Sequence, residues 1–168
     1  MTGCIVGWAH SKFGKIEGQD VEALIVEAAT NAMADAGVGP DDIDAIYLGY
    51  FNNGFADQDF PSSLVLQADE RFRFKPATRV ENACATGSAA IYQGLNFLEA
   101  KQGKVVLVVG VEKMTDTPGA DIGGILMKAS YLKEDSEIEG GFAGVFGQIA
   151  QQYYQKYGDQ TDALAKIA

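Results

Sequence analysis

Two periods of hydrophobic patterning alternate along this chain. Residues 3–9, Gly-Cys-Ile-Val-Gly-Trp-Ala, make an apolar run of strand length and predict a buried strand. A Gly-containing loop follows. Val21, Leu24, Ile25, Ala28, Ala29, Ala32 and Met33 then recur at helical spacing, with Asp20 placed as N-cap and Gly37 as terminator. After the turn Gly39-Pro40-Asp41-Asp42, the stretch from Ile43 to Gly49 predicts a second strand, and residues 50–60 a polar-aromatic loop. Pro61 fits the first position of a short helix through Asp69. Residues 76–82 predict a third strand. The helix after it runs to about Gln102 with Ile91, Leu95 and Leu98 inward, and residues 105–109 give a fourth strand, apolar throughout and so buried on both faces. Strands alternating with helices predict an α/β unit with a mostly parallel sheet and helices on both faces.

The pattern changes after Val109. Residues 115–145 hold many Gly and Asp with weak periodicity, an excursion away from the sheet. Helices are then predicted from Phe146 to Tyr157, with Ile149, Ala150, Tyr153 and Tyr154 as an apolar stripe, and from about Thr161 to Ala168, where the pattern is still helical. A helix running uncapped to the last residue predicts that the polypeptide continues. Tyr153, Tyr154 and Tyr157 read as packing residues. Gly140, Gly141, Gly144 and Gly147 follow no strand and have the wrong spacing for a dinucleotide fingerprint, so a flexible loop before the helix accounts for them.

The densest chemical signal is Glu81-Asn82-Ala83-Cys84-Ala85-Thr86-Gly87-Ser88-Ala89-Ala90. It places Cys84 on a sharp strand-to-helix turn, at the carboxyl end of a strand, where ligands of parallel sheets bind. Small residues on the helical side let a substrate approach the sulfur. The first N–H groups of the helix favour negative charge there and can receive an oxyanion. Cys84 is thus a candidate acyl-accepting nucleophile. Buried packing is the other role of a cysteine at a helix start, and these residues alone leave both open. Asn82 is placed to pin the turn through its side chain.

Length and charge narrow the classes. The 168 residues, 47% apolar and 21% charged, suit a globular domain with a sizeable core. A net charge of −10 argues against nucleic acid. Basic and aromatic residues do alternate from Glu70 to Arg79, which reads as an edge strand or subunit contact with a solvated basic face in preference to a phosphate site. No apolar run has membrane-spanning length, and the N-terminus has no signal-peptide pattern. Two distant cysteines and one histidine give no disulfide framework and no metal cluster, and fit a reducing, cytoplasmic setting.

The motif around Cys84 combines with Val6-Gly7-Trp8-Ala9-His10-Ser11-Lys12-Phe13-Gly14, with Val108-Val109-Gly110-Val111-Glu112-Lys113-Met114 and, more weakly, with Tyr153-Tyr154-Gln155-Lys156-Tyr157-Gly158. In this order they resemble the N-terminal half of a thiolase, of the branch that includes sterol carrier protein X and acetyl-CoA acetyltransferase-like members. The resemblance covers the whole chain. It implies part of a layered αβαβα fold, with residues 1–115 forming the βαβαβαβ core, residues 116–168 opening the loop domain, and the C-terminal half absent. The last strand of this half would return after the loop domain.

By the same resemblance, the cysteine matching Cys84 is acylated by an acyl-CoA, for Claisen condensation or thiolytic cleavage of a 3-oxoacyl-CoA. Acyl-CoA is then substrate, with no tightly bound cofactor and no metal; coenzyme A contacts are unassigned. The family's histidine base and second cysteine lie in the C-terminal half. His10 falls at a structural loop position, so this chain by itself is expected to have no turnover. Glu112 and Lys113 read as structural; Met114 is either an acyl-pocket residue or part of a strand-end turn. A homodimer or homotetramer is implied, with the strand before Cys84 near the subunit contact. Two other readings stand beside this one: a thiolase-like retro-aldolase subunit with a zinc-ribbon/OB-fold partner, and a non-catalytic fragment or split-enzyme subunit that binds its C-terminal half.

Overall fold

A computed structural model of the chain describes residues 3–168. Two compact units follow each other, one ending at Thr117 and one spanning Pro118–Ala168. In the first, helix α1 (Val21–Ala36) starts where predicted: the Asp20 carboxylate accepts the Ala23 N–H at 2.8 Å. It ends at Gly37, whose left-handed φ of 67° suits glycine. Strands β1 (Ala45–Gly49), β2 (Ala77–Val80) and β3 (Val106–Gly110) form an all-parallel sheet in the order β2-β1-β3. Helix α2 (Thr86–Glu99) makes the crossover from β2 to β3.

Strand periodicity sorts the side chains onto two faces. On one face Ile46, Leu48 and Tyr50 join Leu107 and Val109 against Val21, Ile25, Ala29 and Met33 of α1, closed by Val65 and Phe72 from the connection between β1 and β2. Val65 lies in a 3-10 segment, Pro61–Gln67, where a short helix was expected. On the other face lies α2. Its buried residues are Thr86, Ala90 and Gly94, a stripe of small residues four apart. A methyl group at Gly94 would stand 3.1 Å from Val108 Cγ2, so the helix rests almost directly on the sheet.

That contact corrects two expectations. Ile91 does not point inward but is 44% exposed, and Leu95 and Leu98 are half-buried at the helix flank. Small side chains, not large ones, bring α2 close. In β3 only Leu107 and Val109 are buried, and Val106 and Val108 are half-covered, so the strand is not buried on both faces.

The first predicted strand is also corrected. Residues 3–9 form no strand; Ile5, Val6 and Trp8 are 81%, 66% and 70% exposed. An isolated extended segment has no ladder in which to satisfy its backbone groups. Among the described residues, no strand pairs with the outer edge of β3. Residues 3–9 instead run along the far side of an apolar slot of about 530 Å³, whose other walls include Val106, Val108, Ile91, Leu95 and Ala32.

In the second unit, α3 (Gly119–Met127) packs on α5 (Gly141–Tyr157), with α4 (Leu132–Asp135) between them in sequence and α6 (Thr161–Ile167) following. Ile125 and Met127 are buried. Here α5 begins five residues before Phe146, so Gly141, Gly144 and Gly147 are helical and not a loop. Tyr153 and Tyr157 are about half exposed, at 52% and 54%, and their rings lie 4.6 Å apart. They meet at the surface with their planes tilted by 44° and are not core packing. No helix of the described residues is long and apolar enough to cross a membrane.

Candidate functional site: a cysteine at a strand-to-helix turn

Parallel strands end together, and β2 delivers Cys84 to that end. After Val80 the chain passes Glu81 and Asn82 into a 3-10 turn, Ala83–Ala85, which leads into α2. Cys84 sits in this turn with an exposed thiol. No side chain caps the N-terminus of α2; the turn leads into it through backbone bonds, the Ala85 N–H donating to the Asn82 carbonyl at 2.9 Å and the Thr86 N–H to the Ala83 carbonyl. Ala83 has φ 46°, a left-handed conformation costing a non-glycine residue roughly 1–3 kcal/mol. Its N–H donates to the Glu81 carboxylate.

The turn is seated on the sheet by Gly49 at the end of β1. A Cβ there would meet Thr86 Cγ2 at 3.1 Å and the Thr86 carbonyl oxygen at 3.3 Å. Gly49→Val is therefore expected to push the start of α2 off the sheet, at roughly 1–3 kcal/mol of overpacking, and to displace Cys84. Urea denaturation and amide chemical shifts around residue 84 would read the two effects. Unchanged shifts would contradict the seating role.

A cleft of about 390 Å³ opens beside the turn. Ala83, Thr86 and Gly87 form one side, Gly110 at the end of β3 and Glu112 just beyond it a second, and His10 and Ser11 another wall. His10 is exposed and stacks on Phe13 with centroids 4.4 Å apart; its Nδ1 lies against the Ser11 carbonyl. Glu112 Oε2 accepts the Asn52 N–H at 3.2 Å and so holds the loop after β1, as expected of a structural glutamate. Its Oε1 is buried without a protein partner.

Burial pushes the Glu112 carboxyl above the ordinary 4.5, against the pull of the Asn52 and Phe51 N–H groups and the Arg79 charge. The folded state thus keeps the proton to higher pH than the unfolded chain. The associated stability is full below 4.5 and is lost as pH rises through the folded value. Glu112→Gln, which cannot ionise, is expected to gain stability relative to the original chain between about pH 4 and about pH 7. Urea midpoints at the two pH values measure this, and a difference independent of pH would contradict it.

The basic stretch is used inside the molecule. Arg79 donates to the Tyr50 and Phe51 carbonyls at 3.0 and 2.8 Å and pairs with Asp59 at 2.9 Å, tying the polar-aromatic loop to β2. Arg71 pairs with Asp69, whose carboxyl it lowers to about 2, and with Asp41. Lys75 Nζ donates to the Ile43 carbonyl at 2.6 Å. These groups are engaged, so the run is not simply a solvated basic face; residues 70–72 form a 3-10 turn, and the edge strand is confined to β2 at the end of the run. Lys113 is 5% exposed, its ammonium donating to the Ile16 carbonyl, in keeping with a structural role. Met114 opens a 3-10 turn and does not line the cleft.

One residue assignment changes. The Asn82 side chain does not cap the turn; its backbone N–H donates to Thr86 Oγ1 at 2.9 Å. Sequence reading missed the parts played by Thr86 and Gly49 and the buried, unpartnered oxygen of Glu112. For Thr86 a local signal existed: a threonine three residues into a turn competes for nearby backbone groups. Among the described residues, no group of three or more His, Cys, Asp or Glu could hold a metal ion.

Fold and site together define an α/β protein with an exposed cysteine where a parallel strand gives way to a helix. Residues 4–168 match the thiolase N-terminal domain, and the chain belongs to that family. It is 36% identical over 162 residues to an acetyl-CoA acetyltransferase of Methanocaldococcus jannaschii, covering 96% of this chain and 41% of that protein. It is 27% identical over 176 residues to sterol carrier protein 2 of Bos taurus, covering 97% and 31%. A solved acetyl-CoA acetyltransferase from Syntrophomonas wolfei superposes with a TM-score of 0.51 at 22% identity, over 62% of this chain and 27% of that one, a likeness of fold. The chain spans 41% and 42% of the lengths of two archaeal acetyl-CoA acetyltransferases that it matches.

Proposed function

We propose that this chain is the nucleophile-bearing part of a thiolase-type acyltransferase, with Cys84 as the acyl acceptor. The observation that carries the reading is the exposed Cys84 thiol in the turn that joins the carboxyl end of β2 to the 14-residue helix α2. In the first step the Cys84 sulfur attacks the thioester carbonyl of an acyl-CoA, a new S–C bond forms, and coenzyme A leaves as its thiolate. The α2 N–H groups stabilise the oxyanion in between. In the second, the carbanion of another acyl-CoA attacks the acyl group and returns the Cys84 thiolate; thiolysis of a 3-oxoacyl-CoA is the reverse. The name of the Methanocaldococcus relative, acetyl-CoA acetyltransferase, agrees with this chemistry.

A helix terminus alone supplies about 0.3–1 kcal/mol at an exposed site, far short of a general base. The base and the second acid/base group are assigned to a further part of the enzyme. The open edge of β3 and the apolar slot beside it support a sheet completed by a strand from that part. A homodimer through the free edge of β2, the opening of a coenzyme A-binding loop domain in Pro118–Ala168, and a cytoplasmic role in acyl-chain metabolism belong to the same reading.

Reconstitution tests it. The chain co-expressed with the C-terminal half of an acetyl-CoA acetyltransferase is expected to cleave a 3-oxoacyl-CoA in the presence of coenzyme A, while either part alone does not. A reconstituted pair that forms a stable complex without turnover would count against the assignment.

A further inference from the structure

We propose that Thr86 is the positioning residue for Cys84. This rests on the reading of Cys84 as the acyl-accepting thiol and says how the chain holds that thiol still.

Thr86 is 8% exposed and opens α2. Its hydroxyl closes the turn from both directions. Oγ1 accepts the Asn82 N–H at 2.9 Å and donates to the Ala83 carbonyl at 2.6 Å. The two backbone groups so held belong to the two residues immediately before the cysteine. Ala83 is also the residue in the left-handed conformation, which a flexible chain rarely keeps at alanine. Something must hold it, and the Thr86 hydroxyl and the Glu81 carboxylate are the side-chain groups that bond to its peptide units. The γ-methyl does a second job: it lies against Gly49, whose missing side chain leaves room for it. Threonine thus combines a hydroxyl that locks the turn with a methyl that seats the turn on β1. Valine keeps the seat and removes the lock; serine keeps the lock.

The test uses the full chain with Cys4→Ser, so that Cys84 is the thiol that reacts. Carbamidomethylation by iodoacetamide at fixed pH gives its rate constant, and hydrogen exchange gives the protection of the Asn82 amide. Thr86→Val is expected to slow alkylation of Cys84 by about two- to fivefold, the most that a helix terminus supplies to an exposed thiol, and to speed exchange at Asn82 by about tenfold, the scale of one or two lost hydrogen bonds. Thr86→Ser is expected to restore alkylation to that of the original and exchange to within about threefold of it. Thr86→Ala, a second hydroxyl-free variant without a buried branch, must behave as Thr86→Val does. An unchanged or faster alkylation in both hydroxyl-free variants, or a serine variant as impaired as they are, overturns the inference.

The positioning role of Thr86 and the role of Cys84 fail on different results. With acetyl-CoA and a C-terminal half supplied, an acetyl adduct that forms equally well on the original and on Thr86→Val refutes the positioning role only. No adduct on the original chain refutes the role of Cys84 itself.

Discussion

Leu48→Ala is expected to destabilise the chain by about 2–5 kcal/mol, the range for emptying a fully buried leucine site. Leu48 is 0% exposed in the middle strand, with Arg79 of β2 and Val109 of β3 as its register partners. Its side chain lies in the cluster that joins the sheet to α1. Ile91→Ala is the matching control. Although apolar and in the middle of α2, Ile91 is 44% exposed, and its truncation is expected to cost under about 1 kcal/mol. Urea denaturation of the two variants compares them. Equal losses would mean that α2 packs through its large residues after all.

That pair of variants marks where sequence patterning stopped being informative. The alternation of strands and helices was legible, as were the Asp20 cap, the Gly37 stop and the turn carrying Cys84, because each depends on residues close in sequence. The inward face of α2 was not. Hydrophobicity pointed to Ile91, Leu95 and Leu98, whereas close approach selected Thr86, Ala90 and Gly94. Nor could residues 3–9 be settled by their own composition. A strand is a relation between two segments, and the partner that would make one here is not supplied by β3 directly. The glycines of α5 misled for a similar reason: their low helix propensity is a weak prior that tertiary packing overrides. At the site, the cysteine was visible from its neighbours. Its supports were visible only in part, because Gly49 at the end of β1 and Glu112 just past β3 belong to segments distant in sequence.

Replacing Cys84 has the largest expected effect on chemistry. In the reconstituted enzyme, Cys84→Ala is expected to lower turnover by several orders of magnitude, as removal of a covalent nucleophile does. Its stability should change little, since the thiol is exposed and fills no core position. Cys4→Ser is expected to leave turnover in place, because Cys4 lies in residues 3–9 along the slot and not in the turn between β2 and α2. A comparison of all three chains by steady-state thiolysis separates a nucleophile from a bystander. If Cys84→Ala retained turnover near that of the original, the acyl-enzyme route would be lost whatever the family.

The central claim is that the Cys84 sulfur accepts an acyl group, and mass spectrometry tests it most directly. The chain, with a C-terminal half supplied, is incubated with acetyl-CoA, quenched in acid, weighed intact and then mapped by peptide digestion. One acetyl group is expected, on the peptide containing Cys84, removed by added coenzyme A and missing from Cys84→Ala. An unmodified Cys84 peptide under these conditions, or an acetyl group found on another residue, would contradict the account.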